Sequence, residues 1–555
     1  MITVLLCTVA VGNLVLGQSP QVTVSQGTMK GQIFKSREGK DYYGFTRIPY
    51  AKPPVGKLRF MISEKADKWT GVLDATKSTP SCYQMNIYAA GTPTLGEEDC
   101  LYLNIFTPNT TGKYPVIFSI HGGGFNSGSV GYFGTAKYFM DEDVVFVAPN
   151  YRLGTFGFLS LEDNVMPGNM GLKDQALALE WVHNEISAFG GDPNMITVIG
   201  ESAGGASSNL ICEAPRTNGL IKGCVSQSGN GWAAWGILRP GESRRMALNL
   251  AKAIGCNETG DLLKCLQEKP IELAGNRSLV VDNTTRIPSP SPVLEPVNAP
   301  GAILTSWPTS ANHNFPWIVG VCQDDGMLFT GTYEYNLTSE QETDIFINTF
   351  NNTIIAQLEL QNKPNEFLRV WERFFSKGLE PLRAIRNFFT EFLFLYPSLV
   401  ALNKHPGPTY FYVFNYTGGP QMFVGDNEAI DHHPASGVGH AAELAYFFEF
   451  GEAPGWPKLA DIELSKQLVK MWANFARNQT PNSQDVVQWP QFQGLHFLDI
   501  QNSGVTVRNY DQYQEILDFW RSIIPDPTSK SSTIQSSLLF IGALSIFTIY
   551  KTLFL

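Results

Sequence analysis

Charged residues are scarce in this sequence, and acidic residues outnumber basic ones. Only 16% of the 555 residues are charged, and 51 acidic against 40 basic side chains give a formal net charge of −11. Because proteins that bind nucleic-acid phosphates need a basic surface, this balance argues against a nucleic-acid partner. The sequence also lacks repeats of solenoid period and long low-complexity linkers, so one large domain is the simplest organisation. Its hydrophobic content of 43% is enough for a sizeable buried core.

The N-terminal segment 1–17 lacks charged residues altogether. Its apolar run ends at Leu16, and the small residues Val15 and Gly17 suit a cleavage site, so the segment resembles a secretory signal peptide. The Lys or Arg that usually opens such a signal is missing, and a buried N-terminal strand is the alternative. The signal-peptide interpretation predicts a mature chain that begins at residue 18.

The C-terminal segment 526–555 lacks both an ER-retention motif and a basic flank after its apolar run. Serines precede an apolar tail from Leu538 to Leu555 that is interrupted only by Lys551. This order favours a GPI-attachment signal, in which a lipid replaces the removed tail. A transmembrane helix is the alternative, since such a span needs about 17–25 residues. Membrane contact is expected only through this tail, with the chain exported to the cell surface or beyond.

Cysteine is sparse, and its number is odd once Cys7 leaves with the signal peptide, so at least one thiol stays unpaired. Two short-range pairs stand in polar, Gly- and Asn-containing stretches, which is typical of loop-closing disulfides. The predicted disulfides are Cys82–Cys100 and Cys256–Cys265. The remaining cysteines have apolar surroundings and are predicted to be buried free thiols. These are Cys212, Cys224 and Cys322.

Eight Asn-x-Ser/Thr sequons agree with export, because this pattern is the acceptor for N-glycosylation. One sequon arises easily by chance, but eight behind a signal peptide predict a glycosylated surface. The asparagines are Asn109, Asn257, Asn276, Asn283, Asn336, Asn351, Asn415 and Asn478.

Several short apolar runs predict buried strands, because they are rich in β-branched and aromatic residues and too short for helices. They cover residues 115–120, 144–149, 195–200, 317–321 and 410–416. Segment 172–189 has helical spacing of apolar residues without Pro or Gly, and segment 340–400 is also expected to be helical. Alternating strands and helices indicate an α/β fold with a mostly parallel sheet and helices on its faces.

Two glycine-rich stretches each follow one of these strands. Residues 200–204, Gly-Glu-Ser-Ala-Gly, match the G-x-S-x-G nucleophile elbow, in which a cramped strand-to-helix turn presents the hydroxyl of Ser202. Residues 121–125, His-Gly-Gly-Gly-Phe, can point backbone N–H groups at one spot, as an ester's tetrahedral oxyanion requires. The predicted oxyanion donors are the backbone amides of Gly123, Gly124 and Ala203. No Walker Lys-Ser/Thr follows this loop, which disfavours phosphate binding.

A serine nucleophile needs a base and an acid that orients it. His440 stands in a Gly-flanked loop before an apolar segment, which makes it the preferred base among the eight histidines. Asp324 and Asp325 follow the predicted strand 317–321, and the order Ser202, Asp325, His440 is that of α/β-hydrolases. Asp324 is the fallback for the acid.

Residues 189–205 and 98–104 resemble the two signature stretches of the type-B carboxylesterase/cholinesterase family, and 150–159, 168–182 and 226–229 resemble its connecting segments. The resemblance covers about residues 20–525 and implies an α/β-hydrolase fold in a single large domain, 18–525. It also implies Ser202 as nucleophile, His440 as base and Asp325 as orienting acid in carboxylic ester hydrolysis. No metal and no cofactor are expected, only a small-molecule ester.

The chain departs from that family in a few places. The family more often has Glu at Asp325, and its cholinesterases carry a choline-stacking Trp between the first two cysteines, where this sequence has none. Trp232 and Trp235 either shape an acyl pocket or pack in the core. A cholinesterase is therefore the first alternative to a carboxylesterase. A non-catalytic, neuroligin-like adhesion protein is the second, disfavoured because the nucleophile and its partners are all present.

Overall fold

A mixed sheet of eleven strands organises the part of the chain that the computed structural model describes. Those residues are 19–524, apart from 85–93, 132–135, 281–288, 309–313, 337–343, 345–346, 349–357, 359, 361–362, 377, 421–436, 450–455 and 495. The predicted signal peptide, the C-terminal tail, Asn283 and Asn351 lie outside the described residues, as does the side chain of Asn336.

The strands are β1 (Gln21–Val24), β2 (Gly27–Lys30), β3 (Gln32–Lys35), β4 (Asp41–Pro49), β5 (Val72–Asp74), β6 (Tyr102–Thr107), β7 (Tyr114–Ile120), β8 (Val145–Pro149), β9 (Gly191–Glu201), β10 (Gly223–Gln227), β11 (Trp317–Cys322), β12 (Thr409–Asn415), β13 (His496–Gln501) and β14 (Gly504–Asn509). The large sheet has the order β14-β13-β12-β11-β10-β9-β7-β8-β6-β4-β3, and β1, β2 and β5 form a small separate sheet. Pairing is parallel from β8 through β7 and β9 to β13 and antiparallel towards both edges.

The α-helices are α1 (Gly154–Phe158), α2 (Met170–Glu185), α3 (Ala203–Glu213), α4 (Glu242–Ala253), α5 (Leu262–Glu268), α6 (Ile271–Ala274), α7 (Met327–Asn336), α8 (Pro364–Phe374), α9 (Pro381–Phe389), α10 (Tyr396–Lys404), α11 (Leu459–Asn478) and α12 (Tyr513–Ile523). A π-helical turn at Thr390–Leu395 joins α9 to α10. Among the described helices, none combines the length and the apolar character needed to cross a membrane.

Most residues of the central strands are buried, on both faces of the sheet, which explains the apolar runs at β7, β8, β11 and β12. In β11, Trp317 and Val319 pack into one core cluster while Ile318 and Cys322 pack into another on the opposite face. The five predicted strands are confirmed as β7, β8, β9, β11 and β12, and the predicted helix 172–189 as α2 with a 3-10 turn at Ile186–Phe189. The predicted α/β class is therefore confirmed.

Both predicted disulfides are present, Cys82–Cys100 and Cys256–Cys265. The three cysteines predicted to be free are unpaired and buried. Of the sequon asparagines with described side chains, Asn109, Asn257 and Asn478 are exposed, whereas Asn276 and Asn415 are half-buried. Three of these five asparagines are therefore accessible to solvent, as glycosylation requires.

Candidate active site

The serine at 202 occupies a strained turn between β9 and α3. Its φ of 57° and ψ of −124° lie in a region that L-residues rarely adopt and that surrounding structure must enforce. A Cβ on Gly200 would lie 2.3 Å from the backbone of Gly204, and one on Gly204 would lie 2.1 Å from the carbonyl oxygen of Ile120. The two glycines of the motif are therefore required by direct backbone contact, as the sequence predicts.

The glycine loop after β7 packs directly against this turn. A Cβ on Gly122 would come within 3.2 Å of the Cβ of Ser202. Gly123 and Gly124 both have positive φ, +106° and +60°, and nothing lies within 4 Å of a Cβ placed on Gly124. The loop thus packs against the serine and leaves open space at Gly124, and an oxyanion site requires such space.

The histidine within this loop, His121, has a structural role. His121 stacks on Tyr151 with ring centroids 4.4 Å apart, and its Nδ1 lies 2.9 Å from the carbonyl oxygen of Gly122. Burial lowers the pKa of His121 to about 4, so the ring is neutral near pH 7. It supports the loop rather than serving as a base.

The structure brings His440 together with Asp325. Nδ1 of His440 donates to Oδ1 of Asp325 at 2.8 Å, and both side chains are buried. The other oxygen, Oδ2, accepts hydrogen bonds of 3.0 Å from Ser228 Oγ and from the backbone N–H of Cys322. The carboxylate is thereby held in one orientation, with its free side directed at the imidazole.

Asp324 does not reach the imidazole. Its Oδ2 accepts from the backbone N–H of Val438 at 2.9 Å, and its Oδ1 lies 3.4 Å from Nε of Arg386. Of the two adjacent aspartates, the structure therefore selects Asp325 as the partner of His440.

Glu201 is a site residue that the sequence reasoning missed. Its Oε1 lies 3.1 Å from Nε2 of His440, the nitrogen opposite the one that Asp325 engages. Burial raises the pKa of Glu201 to about 8, against the opposing effect of the imidazole. Burial alone would lower the pKa of His440, but the Glu201 and Asp325 carboxylates outweigh it and raise that pKa to about 9. Glu201 occupies the first variable position of the G-x-S-x-G motif. Only the charge of its side chain could therefore have indicated a role in the site.

A third buried carboxylate, Glu443, anchors the chain just beyond the base. Glu443 Oε2 accepts from the thiol of Cys322 at 2.9 Å, and Oε1 accepts from the hydroxyl of Tyr412 at 3.1 Å and the amide of Gln227 at 3.4 Å. Burial raises the pKa of Glu443. These bonds tie the 3-10 turn Ala442–Tyr446 to β10, β11 and β12.

Aromatic side chains wall one side of the site. The ring of Phe394 lies 4.9 Å from that of His440, Trp235 lies 6.0 Å from Phe394, and Phe125 lies 6.4 Å from Trp235. A Cβ on Gly229 would lie 2.1 Å from the carbonyl oxygen of Ser202 and 2.8 Å from Cη2 of Trp235, so this indole borders the elbow.

Trp232 has a different environment, under the ammonium of Lys404 at 4.8 Å. Of the two tryptophans considered for an acyl pocket, Trp235 is therefore the one beside the serine.

The described residues contain no group of three or more His, Cys, Asp or Glu side chains arranged to hold a metal ion. What the site does contain is a strained serine, a buried histidine–aspartate pair and a glycine loop. These are the elements of nucleophilic acyl transfer.

Sequence and fold comparisons relate this chain to carboxylesterases. A family model described as "Carboxylesterase family" matches residues 18–520. Juvenile hormone esterase of Tribolium castaneum is 34% identical over 85% of this chain and 85% of its own length. Carboxylesterase 1E of Mus musculus is 30% identical over 91% of this chain and 94% of its own length.

The fold agrees with that of a solved esterase. The crystal structure of juvenile hormone esterase from Manduca sexta, with OTFP covalently attached, superposes with a TM-score of 0.79 and 26% identity over 91% of this chain and 99% of that one. The strained serine elbow, the α/β-hydrolase sheet and a family match across nearly the whole described chain agree, and the protein belongs to the carboxylesterase family as a carboxylic ester hydrolase.

Proposed function

We propose that this protein hydrolyses carboxylic esters through an acyl-enzyme on Ser202, with His440 as general base and acid and Asp325 as the orienting carboxylate. The observation that carries the proposal is the 2.8 Å contact from His440 Nδ1 to a carboxylate already locked by two other donors. This contact keeps the proton on Nδ1 and leaves Nε2 able to accept one from the serine hydroxyl.

The proposed reaction has two steps, acylation and deacylation of the serine. Ser202 Oγ attacks the ester carbonyl as His440 takes its proton, and the same imidazolium protonates the departing alcohol. Water, activated by the neutral imidazole, attacks the acyl-enzyme and releases the carboxylic acid and the free serine.

The backbone amides of Gly123, Gly124 and Ala203 are proposed as the oxyanion donors. Ala203 opens α3, and the first N–H groups of a helix have no partner inside it. The loop that carries Gly123 and Gly124 packs on the serine. Removing one such donor in other acyl hydrolases costs about 10²–10³ in kcat, the scale expected for this loop.

Glu201 is proposed to stabilise the imidazolium that forms after proton transfer, because its Oε1 lies 3.1 Å from Nε2. His440 must be neutral to act as a base, so activity rises with pH through the pKa of this residue. The Glu201 carboxylate raises that pKa, and Glu201→Gln should therefore move the acidic limb of kcat/KM to lower pH.

In the same variant the plateau kcat should fall roughly tenfold, the effect of about 1.4 kcal/mol on the barrier. Glu463→Gln, at an exposed position of α11, is the control. An unchanged acidic limb in a folded Glu201→Gln enzyme contradicts this role.

Neutral esters are the proposed substrates, because the aromatic rings of Phe394 and Trp235 lie beside His440 and the serine elbow. The juvenile hormone esterases among its relatives support an ester substrate. A choline ester is the less favoured alternative, since the stacking Trp is absent from the sequence between Cys82 and Cys100.

The test of this function uses a short neutral aryl ester and an organophosphonate probe on the secreted chain. We expect hydrolysis of the aryl ester in preference to a choline ester of the same acyl group, and complete loss of activity after one probe molecule binds. A well-folded chain that neither hydrolyses the ester nor reacts with the probe contradicts the proposal.

Export is proposed as well, with residues 1–17 removed, residues 18–525 as the catalytic domain and 526–555 as a GPI signal or anchor. The two disulfides indicate folding in an oxidising compartment, and exposed sequon asparagines agree with glycosylation. We expect N-glycosidase to lower the apparent mass of the cell-produced protein and phospholipase C to release it from cells. An unshifted mass contradicts glycosylation, and a chain retained after phospholipase treatment contradicts the lipid anchor.

A further inference from the structure

The backbone segment that carries His440 has a strained conformation, which neighbouring residues must stabilise. Ala441, directly after His440, has a φ of +64°, a value that non-glycine residues adopt only where the surroundings enforce it. The Glu443 hydrogen bonds hold the chain after this point. The chain before it needs a restraint of its own.

Asp324 supplies that restraint through two hydrogen bonds to one residue. Its backbone N–H donates to the carbonyl oxygen of Val438 at 2.9 Å, and its Oδ2 accepts from the N–H of Val438 at 2.9 Å. Val438 is itself fully buried and lies two residues before His440.

The close approach at Gly437 shows how tightly the two segments fit. Gly437 has a φ of +107°, and a Cβ at this position would lie 2.3 Å from Oδ2 of Asp324. Only glycine lets the chain pass over the carboxylate at this distance.

The charge of Asp324 is balanced on its other side. Its Oδ1 lies 3.4 Å from Nε of Arg386, a buried side chain on α9. Burial raises the pKa of Asp324, and the Arg386 guanidinium opposes that rise and so favours the carboxylate that accepts from the Val438 amide.

We propose that Asp324 is a positioning residue for the reaction, setting the location of His440 through the backbone of Val438. The proposal rests on the function proposed for Ser202 and His440. The adjacent aspartates then serve the same base by different routes. Asp325 orients the imidazole ring directly, and Asp324 fixes the position of the backbone segment that carries the ring.

The test compares Asp324→Ala with Asp324→Asn, which keeps an acceptor oxygen for the Val438 N–H. Because a misplacement of about 1 Å in an active site can cost 10²-fold, we expect Asp324→Ala to lower kcat about 10²-fold, and Asp324→Asn to recover at least about tenfold of that loss. KM should stay within about twofold in both, since substrate contacts are untouched. The kcat is expressed per site titrated with organophosphonate, so misfolded molecules do not count.

Gly437→Ala is the second test, because it forces the carboxylate away from Val438 without removing a polar group. It should reproduce the kcat loss at unchanged KM, while Asp511→Ala, at an exposed position, should match the wild type. A wild-type kcat in titratable Asp324→Ala or Gly437→Ala overturns the proposal, as does an Asp324→Asn enzyme no better than Asp324→Ala. Activity retained by Ser202→Ala would instead overturn the underlying function.

Discussion

Ser202→Ala should lower kcat for a neutral aryl ester about 10⁶-fold, as nucleophile removal does in serine hydrolases whose histidine and acid act with it as a unit. The expectation rests on the strained turn that presents this residue and on the glycine loop packed against its Cβ. Alanine has the same Cβ, so the elbow keeps its packing and the loss is chemical. Initial rates with the aryl ester, and labelling by the organophosphonate, measure it.

Ser187→Ala is the matched control, because Ser187 is exposed in the 3-10 turn after α2. It should hydrolyse the ester and take up the probe like the wild type. Substantial turnover by a folded Ser202→Ala enzyme would move the nucleophile elsewhere.

Asp325→Asn should lower kcat about 10⁴-fold by reversing the tautomer of the base, an effect of that size being known for the equivalent change in a Ser-His-Asp protease. Two donors, Ser228 Oγ and the N–H of Cys322, converge on Oδ2. They draw the amide oxygen of asparagine to that side, so its NH₂ group faces Nδ1 of His440. Nδ1 must then accept, the ring proton moves to Nε2, and the imidazole can no longer take a proton from the serine.

Steady-state kinetics of Asp325→Asn, beside Asp511→Asn as an exposed control, check this expectation. KM should change little, because the carboxylate makes no contact with the ester. A folded Asp325→Asn enzyme of wild-type kcat would remove Asp325 from the mechanism.

The central fold was predictable because parallel strands buried on both faces leave a strong local signal. Segments 115–120 and 317–321 are short, mostly apolar runs, and they are β7 and β11 with at most one residue added at an end. Strand β10 went unrecognised because it is short and contains Gly223, Ser226 and Gln227. The hydroxyl of Ser226 donates to the carbonyl oxygen of Gly205 and accepts from the indole N–H of Trp317, and both partners are distant in the chain.

The serine elbow was predictable because it depends on a local steric requirement, small residues on either side of Ser202. The environment of the His440 imidazole was not predictable. Two adjacent aspartates follow β11, and nothing in their order says which one faces His440. The answer comes from donors far away in the chain, Ser228 for Asp325 and Val438 for Asp324. Glu443 and its contact with Cys322 join segments 121 residues apart, beyond the reach of any local pattern.

Mapping the residue that carries the organophosphonate tests directly whether Ser202 is the nucleophile and His440 its base. The labelled chain is digested, and the modified peptide is sequenced by mass spectrometry. We expect one adduct per chain, on the oxygen of Ser202, and none when His440 is replaced by alanine. An adduct on any other serine, or undiminished labelling of the His440→Ala chain, would contradict these roles.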